Sequence, residues 1–401
     1  MLIIADTYRV FVGTCLSLEF ILTDSDLEQY QDYIPLAVGG LALVIQWWFL
    51  LLVYIRTALY RVRELPEEPA TLPGLSVVIC ARNEEENLRR NLESVLNQDY
   101  PDFEVVLVND CSRDDSQWVL KDLAEQYPQL HVVTLKEDDR FQHGKKFAVT
   151  MGIKAARHDR MVFTDADCRP ASDQWLRHMG NSFAEGVEIV LGYSPYTRLK
   201  GFLNLFIRFE TFHTAISYLS HALGRNAYMG VGRNLAYSRD LFFRGKGFAS
   251  HMHIMSGDDD LFVNQNARRK NTAICIHPDA QVWSDPKTTY ATYARQKRRH
   301  HGASSAYKAR HKWMLSLQMG SAIVFYLSLI VCAFLYPEFW MYLAGAYASR
   351  LLVQLLIFKP AMKKLQVLDL LAWLPLLDII FYFYTSFNGL LSLFRKETRW
   401  K

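Results

Sequence analysis

The sequence predicts an α/β domain on a mainly parallel sheet, joined to helices that cross a membrane. Three observations predict it. Uncharged apolar runs longer than 20 residues lie toward both ends, the region between them is polar, and that region alternates short apolar strands with helices of 3.6-residue period. Half of the residues are hydrophobic and 13% are aromatic, toward the apolar end for a soluble protein, so the excess must be localised.

Residues 34–55, IPLAVGGLALVIQWWFLLLVYI, carry no charge and, at about 1.5 Å per residue, can cross a hydrocarbon core of roughly 30 Å. Residues 314–336 and 339–358 form two more spans, the latter interrupted only by Arg350. Residues 367–394 hold Asp369, Pro375 and Asp378, which read as a broken or re-entrant helix that returns the basic tail RKETRW to the cytoplasm. Arg56, Arg61 and Arg63 follow the first span, and basic residues from Arg295 to Lys312 precede the second. By the positive-inside rule the acidic N-terminal segment 1–33 lies outside and the polar middle lies in the cytoplasm, at the inner membrane if the source is a bacterium. Asp6 and Arg9 break the early apolar region, so no cleavable signal is read there; the segment reads instead as an external amphipathic helix.

The middle region reads as strands 75–80, 103–110, 130–135 and 160–167, separated by helices 83–98, 116–127 and 145–156. Such a parallel α/β sheet binds ligands beyond the carboxyl ends of its strands. Those ends carry Glu84 after the first strand, Asp110 after the second, and Asp165 and Asp167 after the fourth. No GxGxxG joins a strand to a helix and no GxxxxGK[ST] occurs, which disfavours dinucleotide and P-loop sites. The six cysteines, at 15, 80, 111, 168, 275 and 332, have no CxxC spacing, so neither zinc nor a disulfide framework is indicated. A net charge of +4, with its basic cluster beside a span, points to a membrane surface and not to nucleic acid.

An Asp-x-Asp pair at a strand end can hold Mg²⁺ or Mn²⁺, whose shell is then completed by substrate phosphates; the same pair can equally be solvated or cap a turn. Its neighbours favour the first reading. Lys145 and Lys146 open the preceding helix in HGKKFAVTMG, and SGDDDLF supplies Asp258, Asp259 and Asp260 at another helix start, where acids also suit the helix dipole.

CARNEE, VNDCSRDD, GKKFAVTMGIKAA, FTDAD, GDDDLF and QKRRH occur in the order and approximate spacing of family-two glycosyltransferases with a GT-A fold. Over about residues 75–302 the chain resembles their membrane-integrated branch, with D, DxD, ED and QxxRW motifs. The resemblance implies an inverting, metal-dependent transfer from a nucleotide-diphosphate sugar, most often a UDP-sugar. By position it implies that Glu84, Asp110, Lys145 and Asp165 bind the nucleotide sugar, that Asp167 holds the metal, and that Asp258 is the base, with the family's spacing to Leu261. Gln296, Arg299 and His300 stand at the QxxRW motif that closes over the diphosphate and acceptor. Three positions depart from the pattern: His300 replaces Trp, Cys80 replaces Pro, and Gly257 replaces Glu.

Residues 198–223 repeat large apolar side chains at three- and four-residue spacing, which fits either core packing or a membrane-interface helix. The glycine-rich turn MGVGRN follows, and the resemblance places Gly230, Gly232 and Asn234 near the acceptor. The expected acceptor is a lipid or glycan at the bilayer; a processive polysaccharide synthase and a catalytically inert sugar-nucleotide sensor are the alternatives. The domains expected are an external segment 1–33, a span 34–55, a cytoplasmic GT-A domain 65–290, a basic interfacial helix 291–312 and a C-terminal membrane region 314–394.

Overall fold

The structure is a computed structural model that describes residues 33–66, 72–137, 144–254 and 256–394, without the side chains of 298–302 and 391–394. The N-terminal segment up to residue 32 and the basic tail from residue 395 lie outside the described residues. In chain order the elements are α1 (Ile34–Leu59), β1 (Leu75–Ala81), α2 (Glu85–Leu96), β2 (Phe103–Asp110), α3 (Ser116–Gln126), β3 (Leu130–Leu135), α4 (Lys145–Ala155), β4 (Arg160–Asp165) and β5 (Cys168–Pro170). There follow α5 (Trp175–Asn181), β6 (Ile189–Gly192), α6 (Phe202–Leu223), β7 (Leu235–Ser238), α7 (Arg239–Arg244), α8 (Asp260–Asn266), β8 (Thr272–Cys275) and β9 (Val282–Ser284). Four helices close the chain: α9 (Tyr290–Ser304), α10 (Ala309–Leu335), α11 (Trp340–Lys364) and α12 (Leu374–Phe394).

Seven strands form one sheet in the order β3-β2-β1-β4-β7-β6-β8, parallel except for β7, while β5 and β9 make a small antiparallel pair. Runs such as VVI in β1 and VVLV in β2 are continuously apolar because both faces of the sheet are covered. Val77, Ile79, Val105 and Leu107 pack with Leu88, Leu92, Leu120 and Trp175 on one face. Val78, Val106, Met161 and Phe163 pack on the other with α4 and α6. Gly152 lets α4 approach closely, since a Cβ there would meet Val78 Cγ1 at 2.6 Å. That contact sets Lys145, at the start of α4, over the strand ends.

The second core runs without interruption into the apolar helices: Phe209 and Phe212 of α6 join Tyr54, Phe358 and Phe381. Helix α6 is buried around most of its circumference, and even Arg208, His213 and Ser220 are enclosed. Of the two readings of residues 198–223, core packing between the sheet and the apolar helices is the one the structure adopts.

Among the described residues, Ile34–Leu59, Ala309–Leu335, Pro337–Lys364 and Leu368–Leu390 are long and apolar enough to cross a membrane. The last of these, expected as a third span or a re-entrant segment, opens with a 3-10 turn, Leu368–Trp373, before its α-helix. Pro375 sits in the first turn of α12, where its missing N–H would have had no helical partner, and the α-helix then runs unbroken to Phe394. The two acids that suggested a break are instead ion-pair partners. Asp369 takes two hydrogen bonds of 2.7 Å from Arg208, and Asp378 lies 2.9 Å from Arg350.

Arg350 also donates to Tyr326 Oη (2.8 Å) and Gln46 Oε1 (3.1 Å), while Gln354 donates to Asp378 (2.6 Å), so side chains of all four apolar helices meet in one polar cluster. Removing one partner leaves the other charge buried. Asp378→Asn is therefore expected to cost about 3–5 kcal/mol, read as a lowered unfolding temperature of the purified full-length protein.

Candidate active site

The first two loops at the strand ends are tied together by backbone bonds. Asn83 and Cys111 adopt positive φ (55° and 54°), turning each loop sharply. Asn83 N–H then donates to Ser112 Oγ (3.0 Å), Arg113 N–H to Asn83 Oδ1 (2.8 Å), and Glu85 N–H to Asp114 Oδ2 (3.1 Å). Glu84, at the start of α2, accepts a hydrogen bond from Asn87. Asp110 is fully buried at the end of β2, with the Arg82 guanidinium 3.9 Å away.

The register of the sheet brings the third acid alongside: Cys80 pairs with Asp165 on one side and with Val108 on the other, two residues before Asp110. Lys145 Nζ lies 2.9 Å from Asp165 Oδ1 and 3.3 Å from Asp258 Oδ2, joining segments 93 residues apart in the chain (258 − 165). Burial opposes the lysine's charge, but Asp165, Asp258 and Asp259 outweigh it and raise its pKa well above the ordinary value. Lys146 points elsewhere, donating to the carbonyls of His251 (2.6 Å) and Ile254 (2.8 Å); burial brings its pKa down to about 8. It thereby anchors the segment that leads into the three acids.

Those three acids have different surroundings. Asp258 faces Lys145. Asp259 caps α8 and accepts from the N–H groups of Gly232 and Asp260, both at 2.7 Å. Asp260 accepts from Tyr307 Oη (2.8 Å) and Leu261 N–H (2.7 Å). Gly257 has φ +92°, and a Cβ there would meet Leu261 Cδ1 at 2.5 Å, which is a physical reason why no Glu stands before Asp258.

Burial first, then the charge of Asp259, push the Asp260 carboxyl up to about 7. An acid raised in the folded state stabilises fully below its unfolded pKa of about 4 and loses that contribution as pH rises through its folded value. The wild-type unfolding temperature should therefore fall more between pH 4 and pH 7 than that of Asp260→Asn, measured under identical buffers.

An open cleft of about 330 Å³, part of it continuous with solvent, lies among these groups, lined in part by Cys80, Lys145, Asp165, Gly232, Asp258 and Asp259. The ligand atoms of Asp165, Asp167 and Cys168 all lie within 4.8 Å of one another. The two carboxylates suit a hard divalent cation; the Cys168 thiol, 3.3 Å from Asp167 Oδ1, is buried and its pKa is raised by that burial, so it does not.

Gln296 of α9 lies 3.5 Å from Tyr196 Oη, outside the residues that line this cleft. The side chains of Arg299 and His300 lie outside the described residues. Of the turn residues, Gly232 borders the cleft, whereas Asn234 does not: it is fully buried, donates to the carbonyls of Tyr193 (2.9 Å) and Ala280 (2.8 Å), and accepts from Trp175 Nε1 (3.1 Å). Gly230 is packed among Leu191, Leu235 and Val263. Both belong to the core, which corrects their expected place beside an acceptor. The sequence reading passed over Tyr196 and Tyr307, whose contacts with Gln296 and Asp260 cross 100 and 47 residues and leave no local pattern.

Residues 76–244 match the family model for glycosyl transferase family 2, and the chain carries a domain of that family on a GT-A fold. Among curated relatives, it is 33% identical to glycosyltransferase AglE of Haloferax volcanii over 135 residues, covering 33% of this chain and 43% of that protein. It is 27% identical to 4,4'-diaponeurosporenoate glycosyltransferase of Staphylococcus aureus over 196 residues, covering 46% and 49%. A beta-monoglucosyldiacylglycerol synthase of Nostoc sp. is 30% identical over 112 residues, covering 27% and 24%. The chain thus spans less than half the length of these relatives. In fold it is similar to the mannosyltransferase PcManGT of Pyrobaculum calidifontis, solved with GDP-Man and Mn²⁺, with a TM-score of 0.55, 18% identity and coverage of 90% of this chain and 98% of that one.

Proposed function

We propose that the chain transfers a sugar, with inversion, from a nucleotide-diphosphate sugar, in the first place a UDP-sugar, to a lipid acceptor at the cytoplasmic face of a membrane. The observation that carries this reading is Lys145 bridging Asp165 and Asp258 inside a single cleft at the sheet edge. Two relatives named for 4,4'-diaponeurosporenoate and for monoglucosyldiacylglycerol support a lipid acceptor. The basic residues flanking the first three apolar helices support a cytoplasmic domain.

In this reading Glu84 and Asp110 hold the nucleotide, and Lys145 leaves its carboxylates to meet the phosphates. Asp167, with Asp165 beside it, would hold a divalent cation, Mg²⁺ or Mn²⁺, which would supply charge neutralisation at the diphosphate. Asp258 takes the proton of the acceptor hydroxyl as that oxygen bonds the anomeric carbon; a single displacement then requires no covalent enzyme intermediate. Gln296, Arg299 and His300 cover the diphosphate and acceptor from α9, and Gly232 borders the acceptor side. Residues 65–290 form the catalytic unit, 291–312 the interfacial helix and 314–394 the membrane region.

A radiolabelled product made by membranes containing the protein tests the acceptor. A short product that partitions into organic solvent supports the reading, and a long water-soluble polymer contradicts it in favour of a polysaccharide synthase.

A further inference from the structure

Arg233 lies between two residues whose places are fixed: Gly232 N–H binds Asp259, and Asn234 is held in the core by three hydrogen bonds. Its guanidinium sits 4.3 Å over the ring of Tyr196. Tyr196 bridges Ser284 of β9, and Ser284 pairs with Cys168, so β9 lies between the tyrosine and the strand that follows Asp167. Nη2 donates to the Ser194 carbonyl at 3.3 Å, while Nη1 is buried with no hydrogen-bond partner. Burial opposes the arginine's charge; Tyr196, Cys168, Asp167 and Asp165 more than offset it. Among the described residues no carboxylate lies within ion-pair distance of this guanidinium, although Asp167 and Asp165 are near enough to favour its charge.

A buried, permanently charged N–H without a partner is costly, and a guanidinium fork matches two phosphate oxygens at once. We propose that Arg233 is a donor-binding residue that grips the diphosphate on the side of the Asp165–Asp167 pair away from Lys145. Resting on the donor reading given above, this would place the diphosphate between two cations from different segments, Lys145 at the start of α4 and Arg233 before β7. Tyr196 then acts as the platform that keeps the guanidinium in plane, and Gln296 as the contact that links this platform to α9.

Calorimetric titration of purified full-length protein in detergent with UDP, GDP, UMP and GMP, each with Mn²⁺, tests the proposal. For whichever diphosphate the wild type binds, Arg233→Ala should weaken binding about 10- to 100-fold. The matching monophosphate should change less than about threefold. Arg233→Lys, which keeps the charge without the fork, should recover part of the loss, and serves as the test if the alanine variant does not fold. Diphosphate affinity unchanged in both variants, or mono- and diphosphate affinities falling by one common factor, overturns the proposal while leaving the donor reading intact. A wild type that binds neither diphosphate overturns both.

Discussion

Asp258→Asn is expected to lower the rate of sugar transfer about 10²–10⁴-fold, the usual contribution of a positioned general base. Donor binding should be kept, because the substitution removes a carboxylate from Lys145 and leaves that cation free to meet a phosphate. The neighbouring acids are poor substitutes for it. Asp259 is engaged by two backbone N–H groups and Asp260 by Tyr307 and a third N–H, so each would have to give up those bonds to approach an acceptor. Nucleotide release by membranes containing the variant, beside calorimetric donor binding, separates the two effects. Full turnover in Asp258→Asn would assign the base elsewhere.

The second large effect is expected at Asp167. Asp167→Asn replaces a charged oxygen by an amide next to Asp165, and the binding of nucleoside diphosphate in the presence of Mn²⁺ should weaken about 10- to 100-fold. Binding without added metal should change little, since Lys145 and the loop after β1 are untouched. A Mn²⁺ titration identical to that of wild type would contradict the assignment.

Asp165 and Asp167 were visible in the sequence for a physical reason. A strand buried on both faces must be continuously apolar, so MVFTDAD stands out where it stops, and the sheet topology then carries the carboxyl ends of the parallel strands to one edge. The same logic exposed Asp110. What the sequence did not show depends on partners far along the chain. Asp369 and Asp378 looked like interruptions of a helix because their arginines, at 208 and 350, lie on other elements. Asn234 resembled a binding residue by its place after a glycine-rich turn, but Trp175, Tyr193 and Ala280 use its whole amide. Helix α6 has an apolar repeat that fits a membrane surface as well as a core. Only the packing of Phe209 and Phe212 against Phe381 and Phe358 decides between them.

The departures from the family pattern also gain causes. Gly257 meets a backbone at positive φ pressed against Leu261, a place a glutamate could occupy only with strain. Cys80 is half-buried and lines the cleft between Asp165 and the second strand, where its thiol stays protonated because desolvation raises its pKa. Nothing in the described residues explains His300.

The most direct measurement of the central claim is nucleotide release from a panel of UDP- and GDP-sugars by the purified full-length protein in lipid nanodiscs, with Mn²⁺ and after chelation. The account predicts that one donor is consumed, that EDTA stops its consumption, and that added Mn²⁺ restores it. Consumption of no donor in the presence of lipid extract, or turnover indifferent to chelation, would contradict it.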